Sequence, residues 1–89
     1  MREAYQAALK SVLHVQITQY RDRMGLTQAQ MAELLLMDVR SYVELDHGKS
    51  MCSTLSFVLF LLYCCSDTEV LVLFQAIRMA FDAVREDVA

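Results

Sequence analysis

The chain contains no proline and only two glycines, Gly25 and Gly48. Proline and glycine are the residues that most often interrupt helices, so a chain this poor in both favours long helices. The two glycines enclose the stretch LTQAQMAELLLMDVRSYVELDH, and each suits the position just past a helix end. The sequence is therefore organised around one short segment bounded by two helix stops.

Two short helices are predicted inside this segment. Thr27, followed three residues later by Gln30, is typical of a capping box, and it predicts a helix over residues 28–35. Asp38 is a suitable N-cap for a second helix over residues 39–46. Helices of about two turns bury little surface by themselves, so this pair requires helices on either side.

The flanking sequence supplies those helices. Apolar residues recur at three- and four-residue steps over residues 3–24, which predicts one long amphipathic helix. Residues 55–65 are apolar at every position except Ser56, so we expect this helix, capped by Ser53 or Thr54, to be covered on more than one side. The run is too short to span a bilayer, which takes about 18–20 residues.

The last helix is predicted over residues 66–86, opened by a second capping box from Ser66 to Glu69. Its apolar residues step by 4, 3, 4 and 3, a heptad seam. The seam consists of Val70, Phe74, Ile77, Phe81 and Val84. It either packs on the preceding helix of the same chain or also pairs with a second copy, and we take it as the predicted dimer interface.

Length and apolarity bound the architecture. Eighty-nine residues make a single domain, which we expect to be all-α, a bundle of about five helices with a C-terminal dimerisation helix at residues 66–86. Hydrophobic residues make up 56% of the chain, more than a small fold easily hides. This excess favours a homodimer.

Charge and reactive residues limit the function classes. The net charge of −3 is unlike that of most nucleic-acid-binding domains, although the acidic excess lies mainly in residues 66–89. The three cysteines lack the spacing of a zinc site, and no cofactor or metal site is predicted. No phosphate loop, nucleophile motif or spaced carboxylate pair indicates an enzyme. Reduced cysteines and a mixed, helical N-terminus predict a cytoplasmic protein.

The central segment resembles a known family. The strings I-x-x-Y-R-x-x-x-G-L-T-Q-x-x-M-A-E-L-L and S-Y-x-x-L-D-x-G-K-S are similar to the Cro and phage-repressor type of helix-turn-helix, the XRE family, over residues 17–63. Ala32 stands at the small position where the two motif helices cross. The resemblance implies a DNA-binding transcription regulator, such as a repressor, whose partner is double-stranded DNA.

The resemblance also implies residue roles. Gln28 would touch a DNA phosphate together with the N–H groups at the start of its helix. The third helix would enter the major groove and read base edges, and the segment just beyond it would meet phosphates. The implied DNA-binding residues are Gln28, Val39, Arg40, Ser41, Glu44, His47 and Lys49. Arg21 and Asp46 match positions that pair as an ion pair in this family.

The sequence departs from the family pattern at the turn and on the third helix. Leu36 stands where a glycine is usual, so it must either avoid a positive φ or adopt one at a cost. Asp38 and Glu44 bring negative charge to the surface that would face DNA. A second hypothesis therefore stays open: a helix-turn-helix scaffold that binds another protein, as an antirepressor or regulatory subunit does, with little or no DNA binding.

Overall fold

Residues 1–88 are described by the computed structural model, and within them the backbone forms helices and no strand. In chain order the helices are α1 Arg2–Met24, α2 Gln28–Leu34, α3 Val39–Asp46, α4 Thr54–Tyr63 and α5 Asp67–Val88. The predicted all-α architecture of five helices is confirmed over this part of the chain. Every helix end lies within two residues of its predicted position.

Each helix after α1 begins at a polar side chain that accepts a backbone hydrogen bond. The caps are Thr27, Asp38, Ser53 and Ser66. At α2 both halves of the predicted capping box form, since the Gln30 N–H donates to Thr27 Oγ1 at 3.1 Å and the Thr27 N–H donates to Gln30 Oε1 at 2.9 Å. Ser66 and Glu69 exchange the same two bonds at α5. These bonds satisfy N–H groups that have no partner inside the helix.

Three helices end in the same left-handed turn. Gly25 after α1 has φ 66° and Gly48 after α3 has φ 75°. Leu36, after α2, is the non-glycine residue that adopts this conformation among the described positions, with φ 52°. The Met37 N–H then donates to the Ala32 carbonyl at 2.9 Å, the bond that closes a Schellman motif. Leu36 thus takes on the strain that the two glycines avoid.

All five helices contribute to one buried core. Tyr42 and Leu35 are completely buried at its centre. Its buried members are Leu13, Ile17, Met31, Ala32, Leu35, Tyr42, Leu45, Phe60, Cys64 and Leu73. The prediction that residues 55–65 are covered on more than one side is not met within the described chain alone, because Leu55, Leu62 and Tyr63 are well exposed.

The two long helices pack along each other, and α4 is tied to the end of α2. The rings of Tyr5 on α1 and Phe81 on α5 meet edge to face, with centroids 5.0 Å apart. The buried Ser56 hydroxyl donates to the Leu35 carbonyl at 2.6 Å, so the one polar residue in α4's apolar run has a partner. Within residues 1–88, no helix has both the length and the apolarity that a bilayer crossing requires.

Candidate nucleic-acid interface

The Asp46 carboxylate joins α1, α2 and α3. Arg21 on α1 donates from Nε to Oδ1 at 3.2 Å and from Nη2 to Oδ2 at 3.4 Å, so the predicted ion pair forms. Gln28 Nε2 donates to Oδ2 and the Tyr42 hydroxyl donates to Oδ1, both at 3.1 Å. One carboxylate therefore fixes the start of α2 and the end of α3 against the end of α1.

The protonation states around Asp46 follow from burial and hydrogen bonding. Burial favours the neutral acid, but hydrogen bonds from Gln28, Tyr42 and Arg21 outweigh it and lower the pKa of Asp46. Burial and the neighbouring carboxylate raise the pKa of Tyr42 well above its ordinary value. The network thus holds a charged Asp46, a neutral Tyr42 hydroxyl and a charged Arg21 across the neutral pH range.

The apolar sides of α2 and α3 face each other and the core. Met31 and Ala32 of α2 and Tyr42 and Leu45 of α3 are all buried. A methyl side chain at position 32 leaves room for two helices to approach closely, as the sequence predicted. Because α3 places Tyr42 and Leu45 inward, its opposite side faces solvent.

The outward side of α3 carries most of the residues predicted to contact DNA. Val39, Arg40 and Glu44 are exposed, as are His47 and Lys49 just beyond the helix. None of these five side chains lies beneath another part of residues 1–88. All five side chains are therefore accessible, and we call this group the α3 face.

Ser41 was predicted to contact DNA, but in the fold it is bound to Asp38. It is half-buried, and its hydroxyl donates to Asp38 Oδ2 at 2.9 Å while its N–H donates to Oδ1 at 2.8 Å. These bonds, led by the one from the backbone N–H, lower the pKa of Asp38, so the cap is a carboxylate. Because the Ser41 hydroxyl donates its hydrogen bond to Asp38, it can meet an external group only as an acceptor.

Gln28 is also engaged within the fold. Its side-chain amide donates to Asp46, and the side chain is half-buried at the start of α2. A primary amide has two N–H groups, and this bond takes one of them. Gln28 therefore has a structural role that the sequence did not predict, and a contact to phosphate through its side chain is limited to the second N–H.

Little of the nearby positive charge is unpaired. Arg21 is bound to Asp46, and Arg23 pairs with Glu69 on α5 at 3.2 Å with its guanidinium 5.6 Å from the Tyr20 ring centre. No ion pair within residues 1–88 involves Arg40 or Lys49. These two side chains supply the accessible positive charge of the α3 face.

His14 is a structural residue that sequence reasoning missed. It is half-buried, and its Nδ1 lies 3.1 Å from the Leu45 carbonyl oxygen near the end of α3. Its ring also lies beneath Gly48, where an added Cβ would stand 3.7 Å away. The usable signal was its position three residues before the buried Ile17, which places both on the same side of α1.

The predicted dimer seam on α5 is only partly accessible. Phe81 packs on Tyr5 of the same chain, and Ile77 packs against the core. Val70 and Val84 are half-buried, whereas Phe74 is 46% exposed. Much of the seam is therefore covered within the chain by α1 and the core, whereas the intrachain alternative had placed it against the preceding helix, α4.

Searches against protein-family models, curated proteins and solved structures find no match to this chain. The resemblance to the repressor-type helix-turn-helix accordingly rests on the residues quoted above. The arrangement of those residues, with an exposed α3 braced by α2 and α1, is the basis for the proposal that follows.

Proposed function

We propose that this chain is a sequence-specific DNA-binding regulator of transcription that acts as a homodimer. The observation that carries the proposal is the α3 face: a short helix, fixed by Asp46 at its end, that presents Val39, Arg40 and Glu44 to solvent. A helix that enters the major groove and contacts base edges must be exposed along one side and rigidly held along the other. Both conditions are met here.

The chemistry of the α3 face gives each side chain a distinct base partner. Arg40 suits guanine, because its planar fork donates two hydrogen bonds to O6 and N7. Glu44 accepts from the cytosine amino group, and Val39 contacts the thymine methyl group. Ser41, as an acceptor, suits an adenine or cytosine amino group. Lys49 and His47 would contact phosphates beyond the helix.

A homodimer doubles the number of contacts that this small surface can make with DNA. Arg40 and Lys49 are the accessible cations of each α3 face, so two copies present four. On mixed-sequence DNA, where Arg40 has no fixed guanine partner, we expect all four cations to contact phosphates, which predicts a log–log salt slope of about −3 to −4. Two α3 helices would enter half-sites about 34 Å apart, one turn of DNA.

A salt titration of binding to mixed-sequence duplex DNA tests the proposal. We expect binding at low salt with the slope given above, and its loss in the double variant Arg40→Ala, Lys49→Ala. The matched control is Arg78→Ala, Arg85→Ala, which removes the same charge from exposed positions on α5. Absence of binding by the unaltered chain at 50 mM salt or below contradicts the proposal.

A second function is favoured by a specific observation. Leu34, Leu36 and Val39, which lie close together in the sequence at the turn before α3, are all exposed, and Asp38 and Glu44 add negative charge. Such a surface suits a protein partner better than it suits phosphates. Under this hypothesis the chain binds no DNA at low salt, and Leu36→Asn weakens the protein complex while Arg40→Ala does not.

A further inference from the structure

We infer that Lys10, on α1, is a further contact to the DNA backbone and shares a phosphate-binding concavity with Lys49. The inference rests on the proposed DNA binding and extends its contact surface along α1. The resemblance to the repressor type covers residues 17–63, so it assigns no role to Lys10.

The N-terminal half of α1 reaches the segment that follows α3. His14 makes the contact, because its Nδ1 lies 3.1 Å from the Leu45 carbonyl oxygen and its ring lies 3.7 Å from the place of a Cβ on Gly48. Lys10 stands four residues before His14, so it lies about one turn further along the same side of α1. This side of α1 therefore runs beside the segment that begins at Lys49.

The two lysines line one shallow concavity at this place. It has a volume of about 380 Å³ and is also lined by Ser50. This volume far exceeds the roughly 30 Å³ that one water molecule occupies, so a phosphate group has room beside the side chains. No ion pair within residues 1–88 involves Lys10 or Lys49. Two like charges without a partner in the described chain suit an anion from outside it.

Glu3 is the acidic residue that lines the same concavity. It stands seven residues before Lys10, about 10 Å along the helix axis, and its Oε2 lies 3.5 Å from the N-terminal ammonium group of Met1. This separation is about one Debye length at 0.1 M salt, so the repulsion between Glu3 and a phosphate beside Lys10 is strongly screened. The charge close to Lys10 is therefore positive.

This chemistry suits the backbone of DNA and not its bases. Lysine binds phosphate oxygens as a compact charge, and the Ser50 hydroxyl adds a neutral donor of the kind that contacts phosphates. Lys49 is already expected to contact a phosphate beyond α3, so Lys10 would meet the same strand at that phosphate or the next one. Each protomer then presents three cations, Arg40, Lys49 and Lys10, and a dimer presents six.

A salt titration of binding to mixed-sequence duplex DNA tests the inference. Six contacting cations predict a log–log slope of about −5, against about −3 to −4 for four. Lys10→Gln should return the slope to about −3 to −4 and weaken binding at least tenfold at 0.1 M salt. Lys10→Arg, which keeps the charge, should keep the slope near −5. The matched control is Arg78→Gln, which removes one positive charge from an exposed position on α5 and should leave the slope unchanged.

Circular dichroism and melting temperatures establish that the variants are folded. A Lys10→Gln variant with the slope and affinity of the unaltered chain overturns the inference and leaves the proposed DNA binding to Arg40 and Lys49. A Lys10→Arg variant that loses as much as Lys10→Gln also overturns it, because a phosphate contact requires the charge and tolerates either cation. Failure of the unaltered chain to bind DNA at 50 mM salt or below contradicts the proposed function and the inference together, a result that neither variant outcome resembles.

Discussion

The Arg21 guanidinium and the Asp46 carboxylate lie side by side with two nitrogen–oxygen distances of 3.2 and 3.4 Å, and this pair joins the end of α1 to the end of α3. The Asp46 side chain is only 9% exposed. Removing one partner of such a pair leaves the other charge buried without compensation. This carboxylate therefore helps to hold α3 in its orientation.

Asp46→Asn should destabilise the fold by about 2–3 kcal/mol, because the amide cannot neutralise the half-buried Arg21. For a chain of this length that loss lowers the melting temperature by about 10–20 °C. The matched control is Asp22→Asn, since Asp22 lies 3.8 Å from the same guanidinium but is largely exposed. It should cost less than about 0.5 kcal/mol. Equal losses in the two variants would show that the pair does not brace α3.

The stability supplied by Asp46 should also disappear in acid. Its pKa is lower in the folded chain than the unfolded value of about 3.9, so the unfolded chain binds the proton first as the pH falls. This contribution is complete above about pH 5 and is lost as the pH falls from about 4 through the folded pKa. Urea unfolding from pH 7 to pH 2.5 measures it.

In that experiment the gap in free energy of unfolding between the unaltered chain and Asp46→Asn should stay constant above pH 5 and narrow below pH 4. Asp38 and Glu69 also have lowered pKa values, but both variants contain them, so their effects cancel in the difference. A gap that stays constant down to pH 2.5 would contradict the role assigned to the Asp46 charge.

Leu36→Gly should stabilise the fold by about 0.5–1 kcal/mol, because glycine adopts the left-handed turn without the steric cost that leucine has there. The leucine side chain is 70% exposed, so little burial is lost. Thermal melting should show a rise of about 3–6 °C. Gly25→Ala is the reverse control: its φ is 66° with open space around the added Cβ, so any loss reports backbone strain alone. A lower melting temperature in Leu36→Gly would refute this account of the turn.

Glu44→Gln should strengthen binding to mixed-sequence DNA several-fold at low salt, since it removes a negative charge from the α3 face. It should also weaken the preference for cytosine at one position of a selected site, because glutamine no longer offers a carboxylate to the amino group. Glu86→Gln on α5 is the control for net charge. Competition binding with single-base variants measures both effects, and an unchanged affinity would place Glu44 away from the DNA.

Local sequence patterns predicted the helices and their caps because each depends on neighbouring residues. Thr27 with Gln30 and Ser66 with Glu69 form capping boxes through contacts three residues apart. The resemblance predicted the Arg21–Asp46 pair, which links distant positions. The sequence left the conformation of Leu36 open. A positive φ costs free energy, and only the contacts of the complete fold decide whether that cost is offset.

The remaining site features depend on competition between partners, which the sequence does not reveal. Gln28 and Ser41 were predicted as contacts to DNA, yet Asp46 and Asp38 lie close enough to bind them within the fold. The heptad spacing on α5 predicted an apolar stripe correctly, but spacing does not say which neighbour covers it. In the structure, Tyr5 covers Phe81.

The length of α1 gives the fold a mechanical property. Its 23 residues contain no glycine or proline, so it is an uninterrupted rod about 34 Å long. Tyr5 near one end packs on α5, and Arg21 near the other end holds α3. Because Arg23 also pairs with Glu69, α5 is held to this rod near both ends, so we expect α1, α3 and α5 to move together as one rigid unit.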